Sequence, residues 1–547
     1  MRARRRTAGA FLMAASLLAL GPRPVGAQHF LPDDPVRRDD DTADVPRPRR
    51  LELSTIYDVI ARSFTARPSG RTPPAVNVNT LGEVPDSSWF TNRMGARVLD
   101  LPELVRGPDR PVGPDLDSPV TVIAAKSGGI TPGFTIRDSR GEVYFIKLDP
   151  QDWPNLSTAA DVIGAKFFHA FGYNVPDNYV GYLRRDQLRI APGTRLTLRG
   201  GHKREMTHAD LDESLRRAAR RADGAVRVVA SRRLAGEPVG PFEYLGTRGD
   251  DANDVFPHQD RRELRGLRVF SAWLNHDDSR AINSLDVHVE EGGRHYVRHH
   301  LIDFSSALGS GSNARKEISG QNPRAGNEYI LELGPGLRSA VTLGWWERPW
   351  RRARYRVFPE IGRIDADFFS PADWRPEYPN PAFERMQAAD AFWAGRIVSR
   401  FSDEAVRAIV HTGGFTDPEA EAHLADVLRR RRDKVVAWCF GQLNPLADFA
   451  VVSAGGGSAL RFRNLGEEAG LGRATGYEYD WFDFDNDTGA RRRRTDARTS
   501  ARPEIEVPSA AGYTVVRIRT KGASAAWEKA VEVYLRGPSV VGVEREE

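Results

Sequence analysis

Polar and apolar residues alternate along Val120 to Ala125, Phe134 to Arg137 and Val143 to Leu148, the period of two that marks strands with one buried face. A Gly-rich turn and the tight turn Asp138-Ser139-Arg140-Gly141 separate them, so the three read as a meander. The period then lengthens. From Ser157 to Phe171, the residues Ala160, Ile163, Phe167 and Phe168 share one helical face, with Ser157 as the expected cap and Gly172 as the stop. Tyr179 to Leu183 and Val226 to Ala230 read as further strands of the same sheet. Between them a polar insertion near residues 186–225, with a basic helix over Ala209 to Arg221, is expected to form a solvated lid or flap.

Beyond Gly240 the pattern predicts helices over Asp260 to Leu274, Ala388 to Phe401, Asp403 to His411 and Pro418 to Phe440, the last capped by Asp417 with Pro418 at its first position. Two short strands, Leu285 to Val289 and His295 to Ile302, interrupt this helical block. Arg429 to Arg432 fall inside the last helix and are expected on a solvated face. Alternation returns in Ala459 to Phe462, Tyr477 to Phe484, Thr514 to Ile518 and Val531 to Leu535, which predicts a small all-β domain over residues 450–547. Its Asp483, Asp485 and Asp487 have the look of a calcium loop, but the Gly falls one place late and Arg494 stands where a bidentate Glu is needed. Calcium is not expected there.

Met1 to Ala27 has the layout of a secretory signal: Arg2, Arg4, Arg5 and Arg6, an apolar stretch from Ala8 to Leu20, and small residues ending Val25-Gly26-Ala27. Cleavage after Ala27 and a periplasmic or extracellular location are expected, and no later run supplies the ~20 apolar residues of a membrane span. The signal holds five of the 79 basic residues and none of the 74 acidic ones, so the rest of the chain is neutral and nucleic acid is not an expected partner. Residues 28–115, rich in Pro, Asp and Arg, predict an extended arm with a helix over Leu51 to Phe64 and an aromatic stretch, Pro85 to Phe90, packed onto the body. The only cysteine, Cys439, sits in an apolar run and is expected as a buried thiol, with no intrachain disulfide.

Three segments carry chemistry. The first is Lys126-Ser127-Gly128-Gly129-Ile130-Thr131-Pro132-Gly133, whose glycines let backbone amides approach an anion, followed by Lys147 in the apolar run Tyr144 to Leu148. A lysine there needs a partner, and Asp161 on the next helix is the candidate. The second is Leu274-Asn275-His276-Asp277-Asp278-Ser279-Arg280-Ala281-Ile282-Asn283, where Asp278 can orient or deprotonate a hydroxyl and Asn283 can offer an amide oxygen to a metal; a hydrogen-bonded turn is the plain alternative. The third is His300-Leu301-Ile302-Asp303-Phe304-Ser305, an acid at the end of a buried strand that calls for a cation. The charged block Gly246 to Arg265 reads chiefly as an ion-paired entry to a helix, with Arg248 and Arg262 the candidates for an anionic acceptor if it faces substrate.

In this order and on this strand and helix pattern, the segments resemble the protein-kinase-like superfamily, nearer its atypical members (HipA-type bacterial kinases, phosphatidylinositol-kinase-like and secretory-pathway kinases), over about Val120 to Leu446. The resemblance implies an α+β, two-lobed fold: a β-rich lobe over residues 116–245 and a helical lobe over 246–449, followed by the β domain. It implies Lys147 as the strand lysine, Asp161 as its helix acid, Asp278 as the catalytic aspartate, Asn283 and Asp303 as metal ligands, and Lys126, Gly128, Gly129 and Gly133 over the phosphates. ATP or another nucleoside triphosphate, with Mg or Mn, is the implied cofactor. The implied activity is transfer of its terminal phosphate to an unknown hydroxyl acceptor on protein, lipid headgroup or glycan; the alternative is an inactive pseudokinase serving as a scaffold. Three departures stand out: Asp161 is one methylene shorter than the family's Glu, Ser305 replaces a Gly, and no Ala-Pro-Glu segment follows Asp303.

Overall fold

The computed structural model describes residues 28–64, 71–125, 133–197, 202–311, 325–331, 338, 341–342, 350, 356–454, 457–509, 512–522 and 524–547. The expected signal, Met1 to Ala27, and the loop residues Lys126, Gly128 and Gly129 lie outside them. The chain is a mixed α and β protein. Among the described residues no helix is long and apolar enough to cross a membrane.

The arm threads across the rest of the chain before the first sheet begins. Its Phe30 is buried against Phe484, Tyr513 and Tyr534, and the Val45 amide donates to the His295 carbonyl at 2.8 Å. Helix α1 covers Thr55–Phe64, starting later than the expected Leu51; the Leu51 amide is bonded to the Val239 carbonyl at 2.9 Å, and the first helical bond runs from the Asp58 amide to the Ser54 carbonyl at 2.9 Å. Trp89 and Phe90 are buried as expected, with Trp89 stacked on His299 at 3.5 Å between centroids. Helix α2, Leu101–Arg106, follows a capping box of Asp100 and Glu103.

Strands β1 (Val120–Ala125), β2 (Gly133–Arg137) and β3 (Val143–Leu148) form the meander read from the alternation. Helix α3, Leu156–Phe171, follows. Ser157 lies inside its first turn rather than capping it. The amides of Asn155, Ser157 and Thr158 donate instead to the buried Asp149 carboxylate at 3.0, 2.9 and 2.9 Å, so the start of α3 is fixed by the residue that directly follows β3, two places past Lys147. With β4 (Asn178–Leu183), β5 (Leu188–Ile190) and, after the insertion, Val226–Arg232, these strands make one six-stranded sheet.

The insertion is not a solvated flap. Its β5 pairs in parallel with β1, and β6 (Arg195–Thr197) and β7 (Lys203–Glu205) form a small hairpin. Helix α4 ends at Arg216 rather than Arg221, and its Leu211 and Leu215 are buried among Val120, Val122 and Ile136. The strand Val226–Arg232 is β8. Next come β9 (Glu237–Gly240), α5 (Arg262–Leu274), β10 (Ser284–Glu291) and β11 (Arg294–Leu301), with β10 central in a three-stranded sheet.

Helices α6 (Pro381–Glu384), α7 (Ala388–Ser399), α8 (Asp403–His411) and α9 (Pro418–Phe440) share a core with α3 and α5, including Phe171, Phe270, Trp273, Trp393, Phe401 and Leu428. Asp417 caps α9 as expected, accepting from the Glu419 amide at 2.8 Å. Arg431 is not solvated. It is 2% exposed and donates to the Ala272 carbonyl and, at 2.8 Å, to that of Trp273, which satisfies the last carbonyls of α5 just before the Asp278 loop. Cys439 is buried, and burial pushes its thiol pKa up. The tail has β12 (Leu446–Ala454), β13 (Gly457–Asn464), the four-residue helix α10 (Leu465–Glu468), β14 (Gly476–Phe484), β15 (Arg491–Arg493), β16 (Arg498–Ser500), β17 (Glu504–Val507), β18 (Tyr513–Lys521), β19 (Val531–Arg536) and β20 (Ser539–Arg545). Leu460, Trp481, Val516 and Val533 share its core. Asp483 is held by Arg492 and Arg494 at 2.9 Å, leaving that loop ion-paired rather than poised for calcium.

Candidate active site

Lys147 stands one residue from the end of β3, in register with Gly133 on one side and Val229 on the other. Its ammonium donates to Asp161 Oδ2 at 2.6 Å and to Asp303 Oδ1 at 2.8 Å. Burial would pull the lysine pKa down, but the two carboxylates overcome it and hold the pKa above its ordinary value. The lysine, the α3 acid and the acid after β11 therefore meet at one point. The Asp161 side chain is almost wholly buried, whereas that of Asp303 is 37% exposed, so only the latter can readily turn to an incoming ligand.

Helix α3 comes close to the segment carrying Asp303. A Cβ on Gly164 would lie 2.6 Å from Phe304 Cβ, an approach open only to glycine. At that separation Asp161 spans both partners: its Oδ1 accepts from the Phe304 amide at 3.0 Å while Oδ2 takes the lysine. Asp303 itself has φ +61°, the left-handed region that Asp tolerates better than most residues. Ser305 donates from Oγ to Asp303 Oδ1 at 2.5 Å and so helps hold this turn.

Phe304 joins the pieces from beneath. It stacks on Phe168 of α3 at 4.9 Å and lies 5.6 Å from the His276 ring. Burial lowers the His276 pKa to about 4, so the ring is neutral and packs rather than titrates in the working range. The His276 to Asn283 loop leaves α5 through Asn275, at φ +49°. Its Asn283 donates from Nδ2 to the Asp278 carbonyl at 2.8 Å and accepts the Ile302 amide on its own carbonyl at 2.9 Å. The loop is thereby tied to the chain immediately before Asp303.

Asp278 touches Arg280, whose Nη1 lies 3.2 Å from Glu377 Oε2. Burial, then the Glu377 charge, push the Asp278 pKa well above the ordinary carboxylate range, against the pull of Arg280. Arg280 and Glu377 were not singled out from the sequence. Arg280 could have been, since it falls inside the loop motif; Glu377 has no pattern around it and reaches the loop only through tertiary folding, its amide donating to the Asp277 carbonyl at 2.9 Å.

Among the described residues no group of three or more His, Cys, Asp or Glu side chains is arranged to hold a metal alone. Asp303 and Asn283 nevertheless suit a hard divalent cation that takes further oxygens from a phosphorylated ligand. One is a part-exposed carboxylate; the other has its amide nitrogen committed to Asp278, which leaves its amide oxygen as the atom to offer. Gly133 is the one member of the glycine loop among the expected site residues that the structure describes, and it pairs with Lys147.

Arg248 and Arg262 are both engaged by carboxylates. Arg248 donates to Asp286 Oδ2 at 2.9 Å and Arg262 to Asp390 Oδ1 at 3.0 Å, and both also bond backbone carbonyls. They belong to the ion-paired entry to α5.

No family model matches the chain, and no curated protein matches it. Among solved structures it is similar to the Helicobacter pylori proinflammatory kinase CtkA, at 12% identity over 58% of this chain and 94% of that one, with a TM-score of 0.31. It is also similar to the Golgi casein kinase, at 9% identity over 62% of this chain and 75% of that one, with a TM-score of 0.30. A structure of the latter with Mn/ADP bound matches at 9% identity, over 62% and 76% of the two chains, again with a TM-score of 0.30. Likeness at this level leaves fold and activity to be argued from the residues themselves.

Proposed function

We propose that the chain is an exported, kinase-like phosphotransferase that moves the terminal phosphate of a nucleoside triphosphate to a hydroxyl acceptor. The observation that carries this reading is the placement of the Lys147 ammonium between Asp161 and Asp303 at 2.6 and 2.8 Å. Phosphoryl transfer needs little covalent chemistry from the protein; it needs cations positioned on phosphate oxygens and a group beside the attacking hydroxyl. In this reading the sheet of β1 to β5 with β8 and the helices α5 to α9 are two lobes, residues 450–547 are a separate β domain, and the nucleotide lies between the lobes.

Lys147 holds the phosphates, kept charged and aimed by Asp161. Asp303 and Asn283 hold Mg or Mn, which when bound neutralises charge developing on the transferred group. Asp278 receives or orients the acceptor hydroxyl, and its raised pKa makes it a better proton acceptor than an ordinary carboxylate once it is ionised. Arg280 lies against Asp278 and keeps the carboxylate compensated until an acceptor arrives.

The test is incubation of the purified protein with γ-labelled ATP, Mg or Mn and an extract of secreted proteins, lipids and glycans, comparing wild type with Asp303→Ala. Label is expected on an acceptor with wild type alone. Equal incorporation by the variant would remove Asp303 from the mechanism. The contact of Arg280 with Asp278 also favours a second reading, a binding protein with its base blocked; that protein would be stabilised by nucleotide and metal yet transfer nothing.

A further inference from the structure

A cavity of about 890 Å³ lies between the arm, α7 and the strands β12 and β20, and none of the residues around Lys147 lines it. A neighbouring cavity of about 800 Å³ shares Arg396, Arg400 and Asp448 with it. Of the first cavity's four carboxylates, two are paired with an arginine and two accept backbone amides. Glu83 and Asp448 both face Arg396, Asp86 accepts the Asn92 amide at 2.7 Å, and Asp34 accepts the Leu31 amide at 2.7 Å.

Three other arginines of the wall are matched differently. Arg400 donates from Nη1 to the Met94 and Gly95 carbonyls at 2.8 and 2.5 Å. Arg545 donates to the Asn444 and Leu446 carbonyls at 3.1 and 2.6 Å, with its guanidinium 4.4 Å from the centre of the Phe392 ring. Arg536 donates to the Leu31 and Pro32 carbonyls at 3.2 and 3.0 Å. Carbonyls fix the orientation of a guanidinium but do not cancel its charge, and burying a charge without a counter-ion is costly. Burial, and then the charge of Arg396, lower the Arg400 pKa and bring that of Arg545 down to about 9, outweighing the opposing pull of Glu83 and Asp448.

We propose that this cavity binds a small molecule bearing two or more phosphate groups, held by Arg400, Arg545 and Arg536. The planar guanidinium fork matches phosphate oxygens, and Arg400 keeps its Nε and Nη2 for them. Inorganic phosphate would leave most of the cavity empty, while its volume lies in the range of about 300–1,000 Å³ usual for small-molecule sites. The site is separate from the one proposed for nucleotide.

The experiment is calorimetric titration of the full chain with inorganic tripolyphosphate in the absence of divalent metal. Wild type, Lys147→Ala, Arg400→Gln and Arg536→Gln are compared, and each variant's unliganded melting curve checks that it folds. Binding is expected in wild type, retained in Lys147→Ala, and weakened by about tenfold or more in each arginine variant, the usual scale for losing a charge-assisted hydrogen bond. Arg536→Gln, at the less buried position, keeps the test open if Arg400→Gln does not fold. Failure of wild type to bind, or binding that Lys147→Ala abolishes and the arginine variants keep, overturns the proposal.

Discussion

At the entry to α5, Arg261 faces Asp254 at 3.3 Å, Arg262 faces Asp390 at 3.0 Å, and Arg265 lies against both Asp260 and Asp390. Around Lys147 the charges are as dense, but Asp303 stays part-exposed and Asp278 is buried beside the like charge of Glu377. In the first region each buried cation meets an anion and the result is a rigid joint. In the second the carboxylates outnumber the cations around them, Lys147 and Arg280, a state that a metal ion or a protonated acceptor relieves. Charge density alone thus says nothing about function; how completely the charges are matched does.

The sharpest way to break the comparison is Asp390→Ala, which leaves Arg262 and Arg265 short of a partner in the joint. It is expected to lower unfolding free energy by about 3–5 kcal/mol, the scale for breaking a buried ion pair, measured by chemical denaturation. An unchanged midpoint would mean that the joint is not held by its charges. Asp278→Asn should behave oppositely, because Arg280 still has Glu377. Phosphate transfer is expected to fall by about 10²–10⁴-fold, the contribution of a positioned base, with nucleotide affinity and denaturation midpoint kept; a variant that unfolds instead would move Asp278 from chemistry to structure.

Gly164→Val sharpens the geometric side. Its side chain has to push Phe304 away, and overpacking of this kind costs about 1–3 kcal/mol; transfer is expected to fall as well, since Asp161 withdraws from the lysine. Stability loss with full activity would show that the close approach serves packing alone. The smallest effect concerns pH. Burial, then the charge of Arg93, depress the His169 pKa to about 3. The unfolded chain then takes up a proton near the ordinary histidine value that the folded chain refuses. The stability from this residue is full above about pH 6.5 and lost as pH falls toward 3, by up to about 1.4 kcal/mol per unit. Denaturation at pH 7 and 5 checks this, and His169→Gln should flatten the difference.

Much of the molecule was legible because its signals are local. The alternation in β1 to β3 and β14, the cap of α9 and the spacing from His276 to Asn283 each depend on neighbours in sequence. The pairing of Lys147 with Asp161 was legible through burial, since a charge in an apolar run needs a partner, whereas the approach of Asp303 to both was implied only by the resemblance of the segments to kinase-like proteins. What was missed depends on distant partners. Asp149 replaces Ser157 as the start of α3, Arg431 turns inward to close α5, and Glu377 reaches Arg280 from a loop without pattern. The insertion was misread for the same reason, because the apolar residues of α4 find their core only once β1 and β2 are folded beneath them.

The most direct measurement is calorimetric binding of ATP with and without magnesium to wild type, Lys147→Ala and Asp303→Asn. Wild type is predicted to bind more tightly with magnesium, Asp303→Asn to lose that dependence, and Lys147→Ala to bind at least about tenfold more weakly with or without the metal. Identical binding by all three proteins, or no binding by wild type, would contradict a nucleotide and metal site built on these residues.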